Sequence, residues 1–346
     1  MKIAIHHNPG SFSEQWLVYC REHRIDTKQV DCFGSDIIAQ LEDCDGLMWH
    51  WRHWDFRAVR IAPQLTLALE QIGKRVFPDS RTSWHYDDKI GQMYLLEAVG
   101  APLVPSHVFY DEPAALDWID RADFPKVFKL RRGAGSANVI LVRSKSQAKG
   151  LIRRAFGTGF SPVNRIGLLR DRIWHLKRDR DLKALVGIGK GLARLVVPTE
   201  LERNSSREKG YAYFQDFVPG NDFDIRIIVI GPRAFGIKRM VREDDFRASG
   251  SGLIRYAKDE IDLSCVKTAF ELSRKLGTQC LAYDYVFVGG KPQLLEISYA
   301  FTQGPYRDCP GYWDESLSWH EGAFIAEWFM VEDFVDSLDR KDGQDR

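Results

Sequence analysis

No apolar run in this 346-residue chain is long enough to span a bilayer, and the opening MKIAIHHNPG turns polar too early for a signal peptide. Paired cysteines are also missing. Cys20, Cys32, Cys44, Cys265, Cys280 and Cys309 lie far apart and form no C-x-x-C. That argues for reduced thiols and against a disulfide framework or zinc site. Nor does either sign of charge prevail: 49 Lys and Arg face 48 Asp and Glu, a net charge of +1. Such a balance supplies no global field towards nucleic acid or an anionic membrane. Internal repeats and low-complexity segments are absent. There is no Walker A loop, and the N-terminal region has no G-x-G-x-x-G, which argues against a nicotinamide Rossmann enzyme. With 44% hydrophobic and 28% charged residues, the expectation is a soluble cytoplasmic protein of two or three packed subdomains.

The first part of the chain alternates strand-like with helix-like segments. KIAIHH, QVDCF, DGLMWHW and RVFP read as strands, and SEQWLVYCREHR, DIIAQLEDC and AVRIAPQLTLALEQIG as helices. Alternation of this kind implies a parallel sheet, whose ligands sit off the carboxyl ends of its strands. His6, His7 and Asn8 end the first strand and Trp49 to Asp55 end the third, so both clusters belong to one rim. Residues 47–57, LMWHWRHWDFR, concentrate three tryptophans, two histidines and two arginines there. Tryptophan faces stack on sugar or apolar bodies, and His and Arg grip carboxylates or phosphates. Substrate lining is the reading adopted; the plainer one makes Trp49 and Trp51 core aromatics. A His50/His53 metal site is disfavoured by the spacing and by the lack of nearby cysteine.

Beyond Asp87 the pattern changes. DDKIGQMYLLEAVG is a helix capped by aspartate and ended by Gly100. PSHVFYD, PKVFKL and NVILVRS read as strands, and EPAALDWIDRA as a helix. Residues 145–210 are less periodic and basic from Arg165 to Arg194, most simply a solvated helical face, with a local nucleic-acid patch as the alternative. YAYFQDFV, DFDIRIIVIG and RAFGIKRMV are strands, DLSCVKTAFELSRKLG a helix, and an amphipathic helix spans 323–338 before a frayed tail.

The hairpin LAYDYVFVGGKPQLLEIS carries the most chemistry. A three-residue loop, Gly289-Gly290-Lys291, would set Val288 against Pro292 and Asp284 against Glu296, whereas a two-residue loop would put the two carboxylates on opposite faces. Ala282, Asp284, Val286, Leu294, Glu296 and Ser298 would then share one face. Leu281, Tyr283, Tyr285, Phe287, Leu295 and Ile297 would form a core face. Two opposed carboxylates and a neutral oxygen suit Mg²⁺, which takes hard oxygen ligands and keeps substrate phosphates in its shell. An exposed sheet face with ordinary acids is the alternative. Lys129 lies in an apolar strand, and RRGAGSAN offers glycines that let backbone N–H groups close on phosphate. Arg226, Lys238, Arg239, Arg242 and Arg247 recur through the following strands as a candidate phosphate cradle.

The ordered set DDK, PKVFK, Gly-rich loop, QDFVPGNDFDIR, IKRMVREDDFRASGSG and D-x₁₁-E-I-S resembles the ATP-grasp superfamily over roughly 86–338. The likeness is to the carboxylate–amine ligase branch with ribosomal-protein glutamate ligase, glutathione synthetase and D-alanine–D-alanine ligase. It implies an α/β (α+β) ATP-grasp fold behind a parallel-sheet pre-ATP-grasp domain at 1–85, with a linking region at 86–125. The A subdomain would span 126–212 with a basic insertion at about 160–200, the B subdomain 213–338, and a tail 339–346. It further implies ATP and Mg²⁺ as cofactors, with Lys89 and Lys129 on the phosphates under a loop containing Gly133, Gly135 and Ser136. Gln215, Asp216, Phe217 and Val218 match the adenine hinge, and Asp224 an acid near the nucleotide. Arg226, Arg239 and Arg247 match cations around the transferred phosphoryl and acyl groups. Asp284 and Glu296 match the metal ligands, with Ser298 where the family has asparagine. His6, His7, Asn8, His50, Trp51, Arg52 and His53 would line the second substrate. The implied reaction joins a carboxylate to an amine; a kinase on the same fold or a non-catalytic ATP-binding protein is the alternative. MVREDDFRASGSG and GYWDESLSWHEG resemble bacterial ATP-grasp proteins associated with surface sugars. An oligomer is left open.

Overall fold

The computed structural model describes residues 1–133, 138–165, 200–242 and 246–344, with isolated positions between 166 and 199. Gly135, Ser136 and most of the basic 165–194 segment lie outside the described residues. The chain divides into two compact units. One comprises Met1–Tyr86, Leu95–Pro102 and Asn221–Arg346, and the other Asp87–Tyr94 and Leu103–Gly220.

The first unit opens with β1 (Lys2–His6), α1 (Phe12–Glu22), β2 (Asp26–Gln29), α2 (Ile37–Gln40), β3 (Gly46–Trp49), α3 (Phe56–Gln71) and β4 (Arg75–Phe77). Their four strands form a parallel sheet in the order β2-β1-β3-β4. Ile3, Ala4 and Ile5 are all buried, as expected of a strand covered on both faces. The Ser11 hydroxyl caps α1, and the Asp55 carboxylate caps α3 through the Arg57 and Ala58 N–H groups. QVDCF is not the second strand. DTKQ forms β2 at the sheet edge, where its half-exposed polar residues hide the apolar pattern that marks a strand.

After α4 (Ser80–Ser83), the helix α5 (Lys89–Ala98) starts where Asp88 accepts from the Gly91 N–H at 3.0 Å. The second unit then builds an antiparallel sheet, order β5-β8-β6-β7, from β5 (Ser106–Phe109), β6 (Lys126–Lys129), β7 (Val139–Val142) and β8 (Ala212–Asp216). Helices α6 (Glu112–Arg121) and α7 (Lys145–Phe156) bury Ala115, Ile119, Ala148 and Ile152 against Phe128, Leu130 and Phe214. A helix at Lys145 departs from the weak periodicity read there. Two of the three residues it buries are alanines, so the apolar stripe is faint, although Ser144 caps it by accepting from the Gln147 N–H.

The remainder of the first unit is a seven-stranded sheet, β13-β12-β9-β10-β14-β15, with β11 paired to β10. Its strands are β9 (Phe223–Ile230), β10 (Arg233–Met240), β11 (Ile254–Arg255), β12 (Cys280–Val288), β13 (Lys291–Ser298), β14 (Gly311–Asp314) and β15 (Trp319–Glu321). Period-two alternation in FDIRIIVI explains its faces. Ile225, Ile227 and Val229 point one way and are buried, on the side where the helix Leu263–Leu276 meets Tyr283 through Ser273 at 2.7 Å. Asp224, Arg226, Ile228 and Ile230 point the other way. That face is charged at one end and apolar at the other, where Ile228, Ile230, Phe235 and Ala282 join a core with Trp16, Met330 and Phe334.

The hairpin differs from expectation in its turn. Val288 pairs with Lys291, so the loop is Gly289-Gly290 alone, with φ of +56° and +76°. Tyr285 faces Leu294, yet Asp284 still faces Glu296, because the register shifts by one between them. Leu295 is the extra residue, a β-bulge. The bulge moves Leu294 onto the core face, fully buried opposite Tyr285, and Gln293 takes the place beside Val286. Among the described residues no helix is long and apolar enough to cross a membrane.

Candidate active site

Neighbouring strands converge on Asp284. Arg226 on β9, its direct cross-strand partner, grips both Asp284 oxygens through Nε and Nη2. Arg239 on β10 grips Asp224 at 2.6 and 2.7 Å, and its Nη2 reaches Asp284 at 3.1 Å. Glu296 lies on the far strand, 4.0 Å from Arg226 Nη2 and about a third exposed, whereas the Asp284 side chain is 4% exposed. Burial pushes the Asp284 carboxyl up, but the two guanidiniums outweigh it and hold it down at about 2. At Asp224 burial prevails over Arg239, and the Asp284 charge adds to it, so that carboxyl is raised.

The other candidate cations separate. Lys238 turns to the opposite side, 3.3 Å from Glu260 and over the Phe223 ring at 4.1 Å. Arg242 is buried and donates to the Gly250 carbonyl, while Arg247 is half-buried. The Ser298 hydroxyl donates to the Ala300 carbonyl at 2.8 Å, which leaves its oxygen lone pairs as acceptors. One residue that the sequence did not single out belongs here. Tyr306 is fully inside, burial raises its phenol, and Arg226 and Arg239 lie beside it.

In the second unit Lys129 is 7% exposed and donates to Gln215 Oε1 at 2.5 Å; Gln215 in turn donates to Ser106 at 3.0 Å. Asp216 pairs with Lys126 at 2.7 Å, and Phe217 and Val218 follow β8 as half-buried residues. Lys89 donates to the Gly133 carbonyl at 2.6 Å, and Asp87 accepts from the Gly133 N–H at 2.8 Å. Gly133 has φ of +118°, a backbone conformation that glycine adopts without a Cβ penalty, so glycine is required there. Asp87, itself at φ +55°, and Arg131, paired with Asp88 at 3.2 Å, fix the start of this loop. The DDK motif was the signal for the first, and the second opens the RRGAGSAN loop, where the glycines and not the arginine were singled out. A cavity of about 610 Å³ in this unit is lined by Phe128 and Leu130, the alternate residues to Lys129, so it lies across β6 from the lysine.

The N-terminal rim divides into inside and outside. His6 stands beside Trp49 in register, but it is buried between the Val30 carbonyl and the Cys32 N–H. Trp49, His50 and Trp51 are also buried, with His50 stacked on Phe12 at 3.8 Å and Trp51 bonded through its backbone to Tyr299. Burial, followed by the Arg52 charge, lowers His50 to about 3. The accessible chemistry is His7, Asn8, Arg52 and His53, with Arg52 over the Trp54 ring at 5.1 Å and bonded to the Gly10 carbonyl.

By sequence, no family model and no curated protein matches the chain. By structure, it is similar to a RimK domain ATP-grasp protein from Sphaerobacter thermophilus, with a TM-score of 0.55 at 16% identity over 97% of this chain and 99% of that one. It is similar to D-alanine–D-alanine ligase from Bacillus anthracis complexed with ATP, with a TM-score of 0.58 at 11% identity over 99% of both chains. The chain has the ATP-grasp fold. The ATP-grasp ligase PsnB, complexed with a minimal precursor, Mg and ADP, matches with a TM-score of 0.55 at 12% identity over 98% of both chains.

The residues present fit the groups that an ATP-grasp fold implies. Asp284 and Glu296 are opposed hard-oxygen donors, and Mg²⁺ needs only one or two carboxylates when phosphates complete its shell. Among the described residues no cluster of three or more His, Cys, Asp or Glu offers a closed metal cage. Lys89, Lys129 and the glycine turn at Gly133 suit a phosphate-bearing ligand.

Proposed function

We propose that this chain is an ATP-dependent carboxylate–amine ligase working through an acyl phosphate. The observation that carries the reading is the charged end of the seven-stranded sheet, where two opposed carboxylates adjoin two buried guanidiniums. Hydride transfer or nucleophilic hydrolysis has no use for such an array; phosphoryl transfer does, since its charge develops on oxygens that need fixed cations. The structural likeness to D-alanine–D-alanine ligase and PsnB supports the same reading.

In this proposal Lys89 and Lys129 bind the nucleotide phosphates, and Gln215 to Val218 meet the adenine. Asp284 and Glu296 would hold Mg²⁺, which would supply charge neutralisation for the transferring phosphoryl. Arg239, locked to Asp224, presents a fixed cation to the phosphoryl oxygens, and Arg226 and Arg247 orient the carboxylate. The carboxylate oxygen attacks the γ-phosphorus, the bond to the β-phosphate oxygen breaks and ADP leaves. An amine then attacks the acyl carbon, loses a proton, and expels phosphate carrying that carboxylate oxygen. The rim of His7, Asn8, Arg52 and His53 receives the second reactant. Surface-sugar or small-molecule biosynthesis is the setting we favour.

Incubation with ATP, Mg²⁺ and pooled carboxylates and amines tests the reading. ADP, free phosphate and an amide should appear together, and all three should vanish with Lys129→Met. A phosphorylated product without free phosphate would make the chain a kinase; nucleotide binding without turnover would make it a binding protein.

A further inference from the structure

Arg226 commits its Nε and Nη2 donors to the two oxygens of Asp284, and its other acidic neighbour is Glu296 at 4.0 Å. Those are the oxygens that the metal assigned under the proposed function would use. A lone pair directed at a guanidinium N–H is not available to a cation, and two like charges at that separation repel. Arg239 stands differently. Its own bidentate partner is Asp224 at 2.6 and 2.7 Å, and only its Nη2 reaches Asp284, at 3.1 Å, so Asp224 holds it in place when Asp284 changes partners. Tyr306 packs beside both arginines in the buried core.

We propose that Arg226 and the divalent cation compete for Asp284, and that this competition makes the cation and an anionic substrate group bind cooperatively. The inference rests on Asp284 and Glu296 being the metal pair. A cation taking those oxygens releases the guanidinium of Arg226, which then needs an anion, a carboxylate or a phosphoryl oxygen. Conversely, an anion that draws Arg226 aside exposes Asp284 to the cation. Linkage makes the effect reciprocal: each ligand raises the affinity of the other by the same factor. Alone, each meets a partner already engaged. The arginine thus takes the carboxylate more readily once the metal is in place, which disfavours non-productive capture of that substrate.

Mn²⁺ titration of the full chain, read from the resonance of the free ion, tests this without any turnover. Simple charge predicts that Arg226→Lys leaves Mn²⁺ affinity unchanged, because the positive charge is kept. Competition predicts several-fold tighter binding, because lysine cannot make the two-pronged grip. Arg226→Gln should tighten it by about tenfold or more. Inorganic phosphate should strengthen Mn²⁺ binding in the wild type and have no effect on it in Arg226→Gln. Melting curves establish that the variants fold, and Arg226→Lys decides if Arg226→Gln does not. Unchanged or weaker Mn²⁺ binding in Arg226→Lys overturns the proposal. If Glu296→Ala alone abolishes Mn²⁺ binding in that case, the metal assignment stands and only the competition fails. Absence of Mn²⁺ binding to every form removes both.

Discussion

Asp284 and Glu296 face each other across one ladder position, yet their removal should have very unequal consequences for folding. Asp284 is the bidentate partner of the buried Arg226 guanidinium, so Asp284→Ala leaves that charge uncompensated and should cost about 3–5 kcal/mol. Glu296 is a third exposed and touches Arg226 only at 4.0 Å, so Glu296→Ala should cost less than about 1 kcal/mol while abolishing Mg²⁺ binding. Urea titration and calorimetry separate the two. Equal destabilisation would mean that Glu296 is structural. His50 offers a pH test at the same scale. Buried and stacked on Phe12, it accepts from the Phe12 N–H and is held at about 3, against about 6.5 in an unfolded chain. The folded pKa of this base is the lower one, so its contribution is complete above the unfolded value. Stability is lost as pH falls from about 6.5 towards 3, on the order of 4 kcal/mol across that window. His50→Asn keeps an acceptor near the same position and cannot titrate, so its urea midpoint should fall less steeply there. Parallel profiles for the two proteins would remove His50 from the account.

The hairpin of β12 and β13 shows how far an element could be read from its letters. Pairing of Asp284 with Glu296 was legible, because apolar Tyr283, Tyr285 and Ile297 alternate with the acids. The means of achieving it was not. The two-residue turn and the bulge at Leu295 together give the same opposition as a three-residue turn, and alternation alone cannot tell them apart. The adjacent leucines at 294 and 295, which break period two, were the available signal. Packing selects between them: Leu294 is fully buried, and its N–H bonds to the Pro102 carbonyl at 2.6 Å. The same limit hid β2, whose polar edge has no apolar stripe, and α7, whose buried side is largely alanine. In the LMWHWRHWDFR cluster, residue type announced chemistry but not depth; burial assigns Trp49, His50 and Trp51 to packing and leaves Arg52 and His53 accessible. The turn carries its own prediction. Gly289 and Gly290 both have left-handed φ and nothing within 4 Å of a Cβ, so any cost of substitution comes from the backbone. Gly289→Val should therefore destabilise by about 1–2 kcal/mol and Gly289→Asn by much less. Equal melting temperatures for the two would contradict the two-residue turn.

At the scale of the whole molecule, the ordered motifs rather than any single one carried the ATP-grasp reading, and the fold agrees although no family model matches the sequence. A lysine–glycine arrangement suited to phosphates lies in one unit, and an acid–arginine array suited to a metal and a phosphoryl group in the other. The central claim of the proposed function is activation of a carboxylate by phosphorylation. It is tested most directly by supplying carboxylates labelled with heavy oxygen, together with ATP, Mg²⁺ and amines, and weighing the phosphate released. The account predicts phosphate carrying one labelled oxygen, formed in step with the amide. Unlabelled phosphate would mean that water, not a carboxylate, receives the phosphoryl group, and would contradict it.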